Sequence, residues 1–144
     1  MTTTGAAELG LLDTNTLILL ERIDDPSRLP RQPVITAITL AELSVGPLVA
    51  ADAPERATRQ ARLQQAEADF DPLPFDAAAA RAFGRVAASL RQGGRKAHAR
   101  AYDAMIAAIA ISKDLPLYTC NPGDFEHIDE LDLRPVPHPD GAAP

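Results

Sequence analysis

A chain of 144 residues with 46% hydrophobic and 24% charged side chains has the ordinary make-up of one folded domain, long enough to bury a core. Its net charge of −6 argues against nucleic-acid binding driven by bulk electrostatics, without excluding RNA. The single cysteine, Cys120, excludes an internal disulfide framework and fits a reducing cytoplasm, and no apolar run approaches the roughly 18–20 residues that span a bilayer. Residues 1–10 have neither the basic nor the apolar region of a signal peptide.

Leu9-Gly10-Leu11-Leu12, closed by Asp13, is a short apolar run of the kind found in a buried parallel strand. Thr14 or Asn15 can cap a helix that carries Leu17, Ile18 and Leu20. Residues 24–33 form a polar, proline-containing loop before a second strand, Val34-Ile35-Thr36. Thr39-Leu40-Ala41-Glu42 has the spacing of a capping box at the start of the next helix, which Gly46-Pro47 should stop. Pro54 opens a further helix to about Phe70, and Leu73-Pro74-Phe75 is a strand weakened by its proline.

Asp76 caps an alanine-rich helix to about Gln92, ended by Gly93-Gly94. Residues 100–113 make another helix, 115–119 a strand, 122–127 a helical turn and 133–136 a last strand. The alternation predicts an α/β domain over residues 1–136, with a central, mainly parallel sheet and helices on both faces. The proline-rich tail, 137–144, is expected to be disordered.

In open α/β folds ligands bind beyond the carboxyl ends of the strands. Asp13 ends the first strand, and Glu42 lies in the helix that follows the second, so both belong to that rim. Either has a capping role available. Asp103 is harder to explain so, because it is the only acid at the front of Ala101–Ile111, an otherwise strongly apolar helix. Asn121 and Asp124, in Thr119-Cys120-Asn121-Pro122-Gly123-Asp124-Phe125, follow the 115–119 strand onto the same rim. Several carboxylates on one sheet edge repel each other unless neutralised, and hard oxygen donors suit Mg²⁺ or Mn²⁺. The chemistry so implied is hydrolytic phosphoryl transfer.

Charge is unevenly spread. No acid lies between Asp76 and Asp103, where Arg81, Arg85, Arg91, Arg95, Lys96 and Arg100 all fall, whereas five acids crowd residues 124–132. The cations are either a solvated helix face or a phosphate-tracking patch. His98, His127 and His138 lack zinc-binding spacing, and no phosphate-binding glycine loop is present.

The ordered set Leu-Leu-Asp13-Thr14-Asn15-Thr, Ile-Thr-Leu-Ala-Glu42-Leu with Gly46 after it, Tyr-Asp103-Ala-Met-Ile-Ala-Ala-Ile-Ala, and Leu-Tyr-Thr-Cys-Asn121-Pro-Gly-Asp124-Phe resembles the PIN domains, in particular the toxin nucleases of VapBC toxin–antitoxin pairs. The resemblance spans residues 9–136 and implies a PIN-like, Rossmann-like three-layer α/β/α fold. It implies a type II toxin that cleaves structured RNA (tRNA or rRNA), a Mg²⁺ cofactor replaceable by Mn²⁺, a homodimer, and a cognate antitoxin. Asp13, Glu42 and Asp103 match the family's three acids and Thr14 its hydroxyl residue, with Asn15 alongside. The fourth acidic place is Asp124 rather than the neutral Asn121, which then gives polar support. Tyr102 departs from the Asn that many relatives carry. Arg95, Lys96 and Arg100 are the candidate RNA contacts.

Two other uses of a strand-end Asp fit less well. A haloacid-dehalogenase-type phosphatase needs an acid two positions later, where Asn15 stands, and a response-regulator receiver needs a late lysine that Cys120-Asn121 replace. A small metal-dependent phosphatase or a non-catalytic interaction module of the same fold are the alternatives to a nuclease.

Overall fold

The computed structural model describes residues 8–95 and 100–141. Strands β1 (Leu9–Leu12), β2 (Gln32–Val34), β3 (Leu117–Thr119) and β4 (Leu133–Pro135) form one all-parallel sheet in the order β2-β1-β3-β4. The helices are α1 (Thr14–Leu19), α2 (Ala37–Val45), α3 (Ala53–Asp69), α4 (Ala77–Gln92) and α5 (Ala101–Ser112). From β1 the chain moves outward to β2 and later returns to the other side of β1, so the strand order reverses between β1 and β3. Loops leaving two neighbouring strands in opposite directions open a crevice there.

Alternate residues of each strand face opposite sides of the sheet. Leu11 and Leu117 point into a cluster with Val86 and Leu90 of α4 and Ile106 and Ile109 of α5. Leu12 and Tyr118 point the other way, against Leu17, Leu20 and Ile23. A third cluster joins Ile35 and Leu43 to Ile18, Leu63 and Phe70. Helix α5 is buried on nearly all sides, and its alanines at 104, 107, 108 and 110 let α4 and the sheet approach it closely.

Several boundaries differ from the sequence reading. β2 runs over Gln32–Val34, two residues earlier than expected, and so includes Pro33. It is an edge strand, as is β4 with Pro135, and an edge leaves a proline's missing amide unfelt. The expected strand at 73–75 reduces to a bridge between Thr36 and Leu73, held by Leu73 N–H to Ile35 O at 2.9 Å and Ala37 N–H to Leu73 O at 2.8 Å. Asp13, not Thr14 or Asn15, caps α1, because its extended backbone aims the carboxylate at the Thr16 amide. The capping-box reading of Thr39 and Glu42 is likewise overturned. Thr36 is the cap of α2 and its hydroxyl accepts the Thr39 amide, which leaves Glu42 free of that duty.

Residues 122–127 do contain a helical turn, a 3₁₀ segment at Pro122–Phe125. Of the tail expected to be disordered, residues 137–141 are described. The Gly141 amide donates to His138 O at 2.9 Å, and Asp140 pairs with Arg22.

Two glycines make opposite predictions. A Cβ on Gly10, in the middle of β1, would lie 2.5 Å from Tyr118 Cε1 and 2.6 Å from Pro30 Cβ, whereas one on Gly84, on the exposed face of α4, would meet nothing within 4 Å. In urea unfolding, Gly10→Ala is expected to lose about 1–3 kcal/mol through overpacking. Gly84→Ala is expected to gain about 0.5–1 kcal/mol through helix propensity. Equal effects at the two sites would contradict this packing.

Candidate functional site

The crevice at the strand reversal is built around Asp13, which is only 3% exposed. Being cap of α1, it accepts the Thr16 amide at Oδ1 (3.2 Å), and Oδ2 accepts the Thr119 hydroxyl (3.0 Å) from the end of β3. Thr119 in turn accepts the Asn121 amide at 2.9 Å, and the Thr16 hydroxyl accepts the Cys120 amide at 3.0 Å. The end of β1, the first turn of α1 and the turn after β3 are thus knitted together by two buried threonines. Each Asp13 oxygen keeps a lone pair for a further partner.

Glu42 reaches the same crevice from α2 and is half-buried. Its Oε1 accepts the Thr14 hydroxyl at 2.6 Å, and the Thr14 and Thr39 hydroxyls are 2.9 Å apart. A hydroxyl has one proton, so with Thr14 donating to Glu42, Thr39 donates to Thr14. Asp103 comes from the first turn of α5, and Asp124 from the 3₁₀ turn after β3, where Oδ1 accepts Arg100 Nη1 at 2.6 Å. Asn15 is exposed on the outer side of α1, so the support expected from it is supplied by Thr16 instead.

The four acids feel one another. Burial pushes the Asp103 carboxyl from the ordinary 3.8 to about 6, with the charges of Asp124, Asp13 and Glu42 adding to the rise and Arg100 opposing it. Burial raises Asp13 as well, against its threonine hydrogen bonds, and Asp124 adds to the effect. Glu42 is raised by burial too, against the Thr14 bond and with the charge of Asp13. Among the described residues no three of these groups are near enough to share one ion as they stand. Thr14 holds Glu42, and Arg100 holds Asp124.

The residues nevertheless suit a hard divalent cation. All four charged donors are carboxylates, burial and neighbouring negative charge raise Asp13, Glu42 and Asp103, and the neighbouring Asn121 Oδ1 is buried with no hydrogen-bond donor facing it.

The cations take a different role from the one expected of a free basic patch. Arg85 pairs with Glu130 (2.8 Å), Arg95 with Glu126 (2.9 Å) and Arg100 with Asp124. Three of the six cations are therefore tied to the acidic stretch in an ion-pair seam. Lys96, the third candidate RNA contact, lies outside the described residues.

The PIN domain family model matches residues 11–131. The chain belongs to the PIN-domain family. Its VapC branch supplies the relatives. Over 131 residues it is 42% identical to ribonuclease VapC5 of Mycobacterium tuberculosis, an alignment covering 90% of this chain and 93% of that one. Ribonuclease VapC8 of the same species is 32% identical over 108 residues, covering 75% of this chain and 96% of its own. The crystal structure of M. tuberculosis VapBC-5, a member of the VapBC family of toxin–antitoxin systems, superposes with a TM-score of 0.77 at 35% identity, over 90% of this chain and 99% of that one. The PIN-like fold expected from the sequence is therefore the fold observed.

The sequence pointed to every acid of the site and to Thr14, but not to Thr16, Thr39 or Thr119. A threonine at a strand end or in a first helical turn also has routine capping uses, and only the fold shows that these three hydroxyls face inward.

The raised Asp103 carboxyl makes metal-free stability fall with pH. The folded state holds this proton up to about 6, whereas an unfolded chain releases it near the ordinary 3.8. Between those values the native state binds more protons, so rising pH costs stability. Asp103→Asn, unfolded in urea with a chelator present, is expected to be more stable than the parent at pH 8 and to lose that advantage at pH 4. An advantage independent of pH would show that Asp103 titrates normally.

Proposed function

We propose that this PIN-domain chain is a metal-dependent endoribonuclease, the toxin of a type II toxin–antitoxin pair, which hydrolyses phosphodiester bonds in structured RNA such as tRNA or rRNA. The observation that carries the reading is the convergence of Asp13, Glu42, Asp103 and Asp124 on the crevice between β1 and β3, in a chain 42% identical to a VapC ribonuclease. These four acids would hold Mg²⁺, or Mn²⁺ in its place, and Asn121 is polar support beside Asp124. Such an ion supplies compensating charge for the acids and the phosphodiester and makes water acidic enough to attack.

The chain's own residues prepare that chemistry. The Thr16 amide and Thr119 hydroxyl lock Asp13 in one rotamer at the centre of the crevice. Thr39 orients the Thr14 hydroxyl, whose proton then fixes one oxygen of Glu42. This preorganisation removes the reorganisation a solvated carboxylate would require. Arg100, bonded to Asp124 at the edge of the acids, is a guanidinium within reach of any phosphate brought there. Arg95 and Lys96 lie along the same approach in sequence.

VapBC-5 is a toxin–antitoxin system, which supports a cognate antitoxin for this chain. The homodimer is the expectation carried by the sequence resemblance alone. A cytoplasmic location suits the lone, buried Cys120 and the lack, among the described residues, of any helix long and apolar enough to cross a membrane.

The test is cleavage of total tRNA and rRNA by the purified chain. A chelator is expected to abolish cleavage and added Mg²⁺ or Mn²⁺ to restore it. Asp13→Asn and Asp103→Asn should each lose more than the roughly 10–100-fold that a supporting residue costs, and Thr14→Val should fall within that range. Cleavage that survives both acid substitutions would remove the site, and metal-dependent binding without cleavage would favour a non-catalytic interaction module.

A further inference from the structure

Beside the four acids opens a cavity of about 870 Å³. Its walls come from three separate parts of the chain: Arg28 from the 3₁₀ turn Pro26–Arg28, residues 120–126 after β3, and residues 135–138 with Gly141 after β4. Asp124 lines this cavity, and its charge is felt by Asp103 and Asp13, so the cavity adjoins the acids through that one residue.

Its chemistry is not that of an acidic pocket. The two acids on the wall, Asp124 and Glu126, are each paired with a guanidinium, Arg100 and Arg95, which does not line the cavity. Arg28 has no ion-pair partner among the described residues, although its charge is felt by Asp25. The Asp140 amide donates to His138 Nδ1 at 3.1 Å, which holds this ring in the wall. Pro122, Pro135, Val136 and Pro137 give the walls flat apolar surface. The Asn121 side chain lines the wall, but its Oδ1 is buried away from the open space. A cation without an ion-pair partner among the described residues, set beside apolar proline rings, is the complement of a phosphate attached to an aromatic base.

We propose that this cavity is the subsite for a nucleotide adjoining the scissile phosphodiester. Arg28 takes its phosphate, the proline-lined wall takes the face of its base, and the base comes to lie over Asn121 and Gly123. The RNA then leaves the acids on the side of β3 and β4, and the cavity contributes to the choice of cleavage site. This inference rests on the ribonuclease reading above, but binding tests it without cleavage.

The experiment is an NMR titration of the ¹⁵N-labelled full chain, in chelator, with adenosine and cytidine 5′-monophosphate and with inorganic phosphate as the control. A nucleotide is expected to shift the Asn121 side-chain amide and the Gly123 backbone amide saturably, and phosphate alone to leave the Asn121 side chain unmoved. Arg28→Glu is expected to weaken the nucleotide's Kd by about tenfold or more, and Arg28→Gln by less. Both variants should keep the parent unfolding midpoint, since Arg28 is exposed. In RNA cleavage, Arg28→Glu should raise KM by a similar factor, about tenfold, and leave kcat within about twofold. No saturable shift at Asn121, an unchanged Kd in Arg28→Glu, or a shift reproduced by phosphate alone would overturn the subsite. A parent chain that cuts no RNA would sink the nuclease reading and leave the titration to decide the cavity.

Discussion

The hydrogen bond from Thr119 to Asp13 joins the ends of two neighbouring strands at the point where the strand order reverses. It is buried, and one partner is a carboxylate, so it is both strong and costly to lose. Each other part of the site is placed relative to it. Asp13 caps α1, which brings Thr14 to Glu42; Thr119 receives the Asn121 amide, which starts the turn that carries Asp124. Helix α5 closes the arrangement by presenting Asp103 from a first turn that is itself wedged against the core. A sheet of four short strands thus gathers four acids that are distant in sequence.

Gathering them has a price in electrostatic free energy. Asp13, Glu42 and Asp103 are all pushed toward the protonated form, first by burial and then by neighbouring carboxylates, Asp124 among them. The fold opposes this with neutral donors, the hydroxyls of Thr14 and Thr119 and the Thr16 amide, and with a single guanidinium, Arg100. Hydroxyls hold a carboxylate in place without cancelling its charge, so the demand for a cation persists. The ion-pair seam works at a longer range. By fastening residues 124–130 to the middle of α4, the segment after it and the start of α5, it holds the turn on which Asp124 stands.

Much of this was legible in the sequence. Asp76 as a cap, Gly93-Gly94 as a stop and the apolar run ending at Asp13 were read directly, because each rests on local physics. The four acids were legible because charge at the tip of an apolar strand or helix is conspicuous. What stayed hidden was non-local. The start of α2 was misplaced because Thr36 and Thr39 are equally good caps in isolation, and only the bridge of Thr36 to Leu73 decides between them. The basic stretch read as either a solvated face or a phosphate track, and its acidic partners lie some 24 to 45 residues away in the chain. The inward-facing Thr16, Thr39 and Thr119 carried no signal of their own, since a hydroxyl's partner is set by packing.

If these acids share one cation, metal binding must displace the proton that Asp103 holds up to about pH 6. Calorimetric titration with Mn²⁺ at pH 6, in buffers of different ionisation enthalpy, measures that proton directly. The account predicts saturable binding with proton release at pH 6, release that fades by pH 8, and loss of binding in Asp13→Asn. Binding without proton release, or binding that Asp13→Asn leaves intact, would contradict it.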